Sequence, residues 1–261
     1  MSANEPLGGA YRVLRVSDPG GPPPDPGQFA MLAAAERWGG GRDERPYLAR
    51  AFSIARARED GEAHYLLEDV GPGTRRLCEL QAGEGLLVLG PLGRGFAIPP
   101  HEDRRALLVG GGVGIAPLAI LQDTLSAAGM ASTVLLGFRD GARAEGAALL
   151  SGGASIATDD GSVGHAGLVT ELLSAELDRD GHAVVYSCGP AQMLEAVRAM
   201  CAGRGVPAQL ALEAGMACGF GACYGCAVPR RGGGYLRVCV DGPVIDAAEL
   251  ECVDEHAGAP S

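Results

Sequence analysis

Apolar and polar positions follow two different rhythms along this chain. From Tyr11 to about Phe96 the apolar residues come in short runs bounded by turn residues: Tyr11–Val16, Gln28–Leu32, Ala49–Ala55, His64–Leu67 and Gly85–Leu89. Such runs read as strands, and none of this stretch carries a helical period. Pro22-Pro-Pro-Asp-Pro26 and Gly39-Gly-Gly41 punctuate it as loops. Several short strands at this spacing predict an antiparallel barrel or sandwich.

The rhythm changes near His101-Glu-Asp-Arg-Arg105. Ala106-Leu-Leu-Val109 is continuously apolar, as expected of a strand buried on both faces of a parallel sheet. A glycine turn follows, then Pro117 at a first helical position, with Leu118, Leu121 and Leu125 on one face. Further strands are predicted at Thr133–Gly137, Ser155–Thr158, Ala183–Ser187 and 206–212, and helices at Leu168–Leu177 and Pro190–Ala202, the latter stopped by Gly203. Strands alternating with helices imply βαβ units.

Length and charge narrow the possibilities. A chain of 261 residues can hold two domains and a small appendage. Its net charge of −11 argues against nucleic acid, whose phosphates need an excess of Lys and Arg. Met1–Pro6 lacks a basic stretch followed by an apolar run, so no signal peptide is expected. The most apolar run, Ala106–Leu121, is short for a bilayer and is broken by four glycines and Pro117. A cytoplasmic protein with no membrane partner is expected.

Cys218, Cys223, Cys226 and Cys239 carry the most specific chemistry. C-x4-C-x2-C with a distant fourth Cys is the plant-type spacing for a [2Fe–2S] cluster held by four thiolates. Gly219, Gly221 and Gly225 interleave them, and glycine tolerates the positive φ of a tightly wound loop. Structural zinc is the alternative, although zinc sites usually pair their ligands as two C-x2-C knuckles. Eight cysteines in 261 residues do not suit a disulfide framework without a secretory context.

Other motifs gain meaning from their order. Val109-Gly-Gly-Gly-Val-Gly-Ile-Ala-Pro117 joins strand to helix, where bare backbone N–H groups can approach a pyrophosphate; a tight packing turn is the alternative. Cys188 and Gly189, in Tyr186-Ser-Cys-Gly-Pro190, fall at the carboxyl edge of the sheet, where ligands of such folds bind. A lone Cys188 is otherwise a small buried apolar group. Arg50-Ala-Phe-Ser-Ile54 alternates Arg50 and Phe52 with Ala51 and Ser53. Val70-Gly-Pro-Gly-Thr74 offers backbone donors and a hydroxyl in a turn, and Gly90-Pro-Leu-Gly-Arg-Gly-Phe96 closes the segment.

This series, Arg-x-x-Ser, Gly-x-Gly-Thr, Gly-Pro-Leu-Gly-x-Gly-Phe, Gly-Gly-Gly-Val-Gly-Ile-Ala-Pro and Cys-Gly-Pro, resembles the ferredoxin–NADP reductase superfamily. Met216-Ala-Cys-Gly-x-Gly-Ala-Cys-x-Gly-Cys226 and Val238-Cys-Val-Asp-Gly-Pro-Val244 narrow the resemblance to the electron transfer subunits of two-component, NAD-dependent dihydroorotate dehydrogenases, over about residues 10 to 250. It implies an antiparallel FAD-binding β-barrel over 1–100, a parallel-sheet NAD-binding α/β domain over 101–208 and a [2Fe–2S] domain over 209–261.

The resemblance also implies roles. Arg50 holds the FAD phosphates and Ser53 sits beside flavin N5, with Ala51 and Phe52 between them. Leu66, Leu67 and Glu68 line the flavin mainly through backbone, and Gly73 and Thr74 cap its pyrophosphate. Gly111, Gly112 and Gly114 face NADH, Cys188 and Gly189 lie near the nicotinamide, and the four cysteines are the cluster ligands. Ala51 stands where many relatives have Pro, and Phe52 lacks the hydroxyl of their Tyr. The implied activity belongs to pyrimidine biosynthesis: dihydroorotate is oxidised at FMN in a separate catalytic subunit, and electrons pass through the cluster and FAD to NAD+. A heterotetramer with two subunits of each kind follows from the same resemblance. No general base for dihydroorotate is expected in this chain.

Rival readings are a subunit of a ferredoxin:NADP or sulfide-oxidising complex and a zinc-stabilised nucleotide-binding regulator. Arg139 and Asp140, after the second parallel strand, leave NAD against NADP open, since an arginine suits a 2′-phosphate and an acid a hydroxyl. Cys78, Cys201 and Cys252 read as incidental thiols, and His64, His101, His165, His182 and His256 show no ligand spacing.

Overall fold

The structure, a computed structural model, describes residues 1–39, 46–98 and 104–253. Gly40, Gly41, His101, His256 and the boundary between residues 100 and 101 lie outside the described residues. Six strands build the first sheet: β1 (Ala3–Gly8), β2 (Tyr11–Ser17), β3 (Phe29–Ala34), β4 (Arg50–Ala57), β5 (Glu62–Glu68) and β6 (Leu86–Leu92). They pair antiparallel in the order β1-β2-β5-β4-β3-β6. The sheet curls until its edges approach, so that the Gly83 N–H, just before β6, donates to the Met1 carbonyl at 3.1 Å. Leu14, Leu32, Leu67, Leu77 and Leu80 fill the interior of the curl.

Two strands of this sheet are buried on both faces, for a reason the period of two makes plain. In β2, Leu14 and Val16 point into the curl while Tyr11 and Val13 join the core of the second sheet. In β3, Ala30 and Leu32 point inward while Phe29 and Met31 pack toward the cysteine-bearing segment.

Two elements here differ from the sequence-based expectation. Strand β1 forms where the apolar pattern predicts none, and a helix, α1 (Pro72–Cys78), replaces an expected turn. Pro72 opens it, and Thr74 Oγ1 accepts the N–H groups of Val70 and Gly71 at 2.9 and 3.0 Å, closing the first turn. Burial of Leu77 and three hydrogen bonds from Asn4 Nδ2 to the carbonyls of Leu77, Cys78 and Leu80 then fix its end against β1.

The second sheet contains β7 (Arg105–Gly111), β8 (Ser132–Phe138), β9 (Ser155–Thr158), β10 (His165–Ala166), β11 (Ala183–Cys188) and β12 (Ala208–Ala211), all parallel. Its order is β10-β9-β8-β7-β11-β12, extended at the β12 edge by an antiparallel strand, Val244–Asp246. Helix α2 (Ala116–Ala127) covers one face through Leu118, Leu121 and Leu125. Helices α4 (Val169–Arg179) and α5 (Ala191–Arg204) cover the other through Leu173, Leu177, Leu194 and Val197. A one-turn helix, α3 (Gly141–Ala144), follows β8. Helix α5 runs past the expected stop at Gly203 and ends at Gly205, which takes the left-handed conformation at φ 67°.

After β12 the chain forms the cysteine loop and a hairpin of β13 (Ala227–Pro229) and β14 (Tyr235–Arg237). A short helix, α6 (Val238–Asp241), leads to β15 (Val244–Asp246), which returns to pair with β12. Among the described residues no helix is long and apolar enough to cross a membrane.

Candidate functional site

Two clefts and the cysteine loop meet where the sheets face each other. Ala51, Phe52 and Ser53 from β4, Leu66 and Glu68 from β5, and Thr74 from α1 line the first cleft together with Phe29, Val113, Glu213 and Met216. Arg50 lies at its rim, laid across the glycine of the Gly-Pro-Gly turn: a Cβ on Gly73 would stand 2.7 Å from Arg50 Nε. Its Nη1 donates to the Leu48 carbonyl, and its guanidinium carbon sits 6.0 Å from the Trp38 ring centroid. Leu67 alternates away from the cleft into the curl of the sheet and is fully buried. The predicted set is thus brought together, with Arg50 and Gly73 at the rim and Leu67 behind.

The second cleft runs along the carboxyl edge of the parallel strands. Gly111 at the end of β7 with Gly112 and Val113 after it, Gly137 to Arg139 at the end of β8, Asp159 after β9, and Pro190 and Met193 near β11 line it. Gly112 has φ 54°, and a Cβ there would meet nothing within 4 Å, so its bare backbone borders open space. Gly114 and the Cys188–Gly189 pair lie behind this lining. A Cβ on Gly114 would be 2.5 Å from the Cys188 carbonyl oxygen and 2.6 Å from the Gly189 nitrogen, so the two strand-end loops touch backbone to backbone. Cys188 is fully buried, and burial first, then the nearby Glu213 carboxylate, pushes its thiol well above the ordinary range.

Glu213 belongs to both clefts, and no sequence motif singles it out. Its side chain opens onto the clefts, yet the protein around it removes enough water to raise the carboxyl above its ordinary value. The one signal for it is positional: an acid ending an apolar strand at the ligand-binding edge of a parallel sheet. Tyr11 and Arg143 also lie outside every motif, because they meet only in three dimensions. Arg143 bonds Asp140 Oδ2 at 2.7 Å and Glu68 Oε1 at 3.3 Å, tying α3 to β5. Beside it, the Tyr11 hydroxyl is buried in the lining of the second cleft without a protein partner. Burial, and then Glu68, raises its pKa to about 12.

The cysteine loop leans on β3, where a Cβ on Gly219 would fall 2.6 Å from Met31 Cγ. Gly219 and Gly221 adopt φ of 79° and 86°, as their interleaving with the cysteines predicts, whereas Gly225 does not take a positive φ. The thiols stand in two pairs. Cys226 and Cys239 Sγ are buried 3.2 Å apart, and the Cys239 N–H points at Cys226 Sγ. Cys218 Sγ is hydrogen-bonded with Cys223 and faces the amides of Cys223, Phe220 and Ala222. Burial raises the Cys218 thiol, but those donors outweigh it and hold the thiol down at about 6. Two thiol pairs, backbone donors aimed at sulfur and glycines in left-handed conformation fit a two-iron cluster with two thiolates on each iron. Tyr224, between the ligands, holds φ 59° with the Arg237 guanidinium 5.2 Å above its ring. Phe220 and Tyr224 are 59% and 63% exposed on either side of Cys223, itself exposed. Cys201 is buried within α5, and Cys78 and Cys252 are half-buried free thiols.

A solved structure described as an NADH-dependent reduced ferredoxin–NADP oxidoreductase is similar to 97% of this chain and 89% of its own, with a TM-score of 0.80 and 25% identity. The ferredoxin reductase of carbazole 1,9a-dioxygenase shares the fold over 78% of this chain and 64% of its own, at a TM-score of 0.67 and 22% identity. The curled antiparallel sheet followed by the parallel sheet is therefore the fold of the ferredoxin reductases. Residues 213–251 match the family model of the iron–sulfur cluster binding domain of dihydroorotate dehydrogenase B. The electron transfer subunit of dihydroorotate dehydrogenase B (NAD(+)) from Geobacillus thermodenitrificans (strain NG80-2) is 40% identical over 87% of this chain and 86% of its own length. That from Caldanaerobacter subterraneus subsp. tengcongensis is 38% identical over 88% of each. The chain belongs to the family of electron transfer subunits of NAD+-dependent dihydroorotate dehydrogenase B.

Proposed function

We propose that the chain links the FMN of a dihydroorotate-oxidising catalytic subunit to NAD+. FAD supplies the step between one- and two-electron chemistry, and a [2Fe–2S] cluster the one-electron link to the partner. The observation that carries the reading is contiguity. Glu68, Val70, Val113 and Glu213 line both clefts, and the cysteine loop rests on β3, whose Phe29 lines the first cleft.

The residues divide the labour. Arg50, laid over Gly73, pairs with the FAD phosphates, and Thr74 and the α1 amides cap them. Ala51, Phe52, Ser53, Leu66, Leu67 and Glu68 form the wall for the flavin ring, with the Ser53 hydroxyl toward N5. Gly111 and Gly112 present bare backbone to the dinucleotide pyrophosphate, while Gly114 holds the loop against Cys188 and Gly189 beside the nicotinamide. Cys218, Cys223, Cys226 and Cys239 hold the cluster. We divide the chain as a flavin domain over 1–100, a dinucleotide domain over 101–208 and a cluster domain over 209–261.

The partner is the catalytic subunit. Exposed Phe220 and Tyr224 around Cys223 support docking of its FMN-bearing face on the cysteine loop, in an assembly of two subunits of each kind in the cytoplasm. Identity of 40% along most of the chain favours this assignment over a ferredoxin:NADP complex. Anaerobically purified protein should show flavin bands with an iron–sulfur shoulder and contain iron and acid-labile sulfide. Colourless protein holding zinc would refute the reading.

A further inference from the structure

Three carboxylates stand at the ends of the adjacent strands β8 and β9, and two are already committed. Asp140 accepts the Arg143 N–H at 2.9 Å, capping α3, and pairs with Arg143 Nη1 at 2.7 Å. Asp160 accepts both the N–H of Ser162 at 2.9 Å and its hydroxyl at 2.5 Å, closing its own turn. Asp159 has no side-chain partner among the described residues. Its backbone N–H is fixed to the Phe138 carbonyl at 3.0 Å, and its side chain is exposed along the second cleft. Arg139 lines the same cleft, likewise without a partner among the described residues.

The strand order orients whatever occupies this cleft. Beyond β11 it shares Glu213 with the first cleft, and its middle is the glycine loop after β7, whose Val113 is shared as well. Its far end lies over β8 and β9, where Arg139 and Asp159 stand. With the redox-active ring next to the flavin and the pyrophosphate on the glycines, the adenosine ribose falls at that far end. Tyr11 lines the same cleft, and its hydroxyl is a buried polar group without a protein partner, an independent sign that this side of the cleft takes a polar occupant.

We propose that Asp159 is the residue that selects NAD(H) over NADP(H), its carboxylate accepting the adenosine ribose hydroxyls and repelling a 2′-phosphate against the pull of Arg139. The inference rests on the second cleft being the dinucleotide site. A free carboxylate accepts from a vicinal diol, whereas beside a phosphate it brings two like charges together. Asp140 is the weaker candidate, because each of its oxygens already accepts from Arg143 and its charge is paired with that guanidinium.

The test measures binding of ADP-ribose and 2′-phospho-ADP-ribose to the complete flavin-loaded complex by calorimetry, and kcat/KM for NADH and NADPH in dye reduction. The unmodified protein should prefer ADP-ribose. Asp159→Asn, and Asp159→Ser as a smaller second variant, should narrow that preference by about tenfold or more, mainly through tighter binding of the phosphorylated probe. Adding Arg139→Ala to Asp159→Asn should take that gain away. ADP-ribose binding with a preference unmoved by either Asp159 variant would overturn this inference alone. Failure of ADP-ribose to bind the unmodified protein would overturn the cleft assignment together with it.

Discussion

Replacing Gly114 by alanine tests how tightly the two strand-end loops must meet for the site to form. The new methyl would lie 2.5 Å from the Cys188 carbonyl oxygen and 2.6 Å from both the Cys188 carbonyl carbon and the Gly189 nitrogen. Ordinary contact begins at 3.4 Å, so the shortfall is 3.4 − 2.5 = 0.9 Å. No flexible side chain can give way, because every clashing atom is backbone. The loops cannot part easily either: β7 and β11 are paired from Ala183↔Arg105 to Cys188↔Gly110, and Ser187 Oγ donates to the Val109 carbonyl at 2.9 Å. Overpacking of this kind costs about 1–3 kcal/mol, and a backbone neighbour places this case near about 3. For a protein of this size that lowers Tm by roughly 6–12 °C and the folded-to-unfolded ratio by roughly a hundredfold. Gly112→Ala is the contrast, since it meets nothing within 4 Å but sits at φ 54°. It should cost about 1 kcal/mol in backbone strain and act mainly by weakening dinucleotide binding. The assays are thermal unfolding of the flavin-loaded protein and ADP-ribose affinity. Gly114→Ala that melts within a degree of the unmodified protein and keeps its affinity would refute the contact as a determinant of the site.

Three further perturbations separate the components. Cys223→Ser should remove the iron–sulfur absorbance and block electron transfer to the partner while NADH-driven dye reduction persists; equal loss of both activities would contradict the division. Arg50→Ala should lower the flavin retained per protein after desalting, and an unchanged ratio would count against its phosphate contact. Burial raises the Glu213 carboxyl in the folded state, so that group favours folding fully below its ordinary value of 4.5 and loses this advantage as pH rises through the raised value. Glu213→Gln should therefore melt with the unmodified apoprotein below pH 4.5 and above it at higher pH. A difference independent of pH would show that desolvation of Glu213 is not the cause.

The central parallel strands are legible in the sequence because burial on both faces leaves an unmistakable signature. Ala106–Val109 sends Leu107 and Val109 into one core and Ala106 and Leu108 into the other, so no polar residue interrupts the run. Helix α1 is not legible, because seven residues hold fewer than two full periods and Gly-Pro-Gly-Thr reads equally as a turn. Strand β1 is held by Asn4 bonds to a helix far along the chain, which no local pattern reports. The site divides the same way. Residues contributed as contiguous motifs, such as Ala51–Ser53 and Gly111–Gly112, stand out, since the chemistry constrains neighbouring positions together. Glu213, Tyr11 and Asp159 enter one at a time from separate elements. In the sequence Arg139 and Asp140 look like equal and opposite readers of the ribose; the α3 cap shows that Asp140 is occupied.

The path of the chain after β12 explains how three sites keep fixed relative positions without a large interface of their own. Leu210 and Ala211 complete the parallel sheet, and Glu213 then enters the junction of the clefts. The cysteine loop follows, pressed on Met31 of the first sheet at Gly219. β15 returns to pair with β12 through Gln209↔Asp246, Leu210↔Ile245 and Ala211↔Val244. The loop is thereby anchored at both ends to the second sheet and, at Gly219, to the first. A linker would let the cluster wander, and electron transfer would then wait on its return. Anchoring at three points removes that freedom, since moving the cysteines would require breaking strand pairing on one side or a packed core on the other. Shortening or loosening the return through β15 should for that reason slow electron transfer to the partner before it affects dye reduction by NADH.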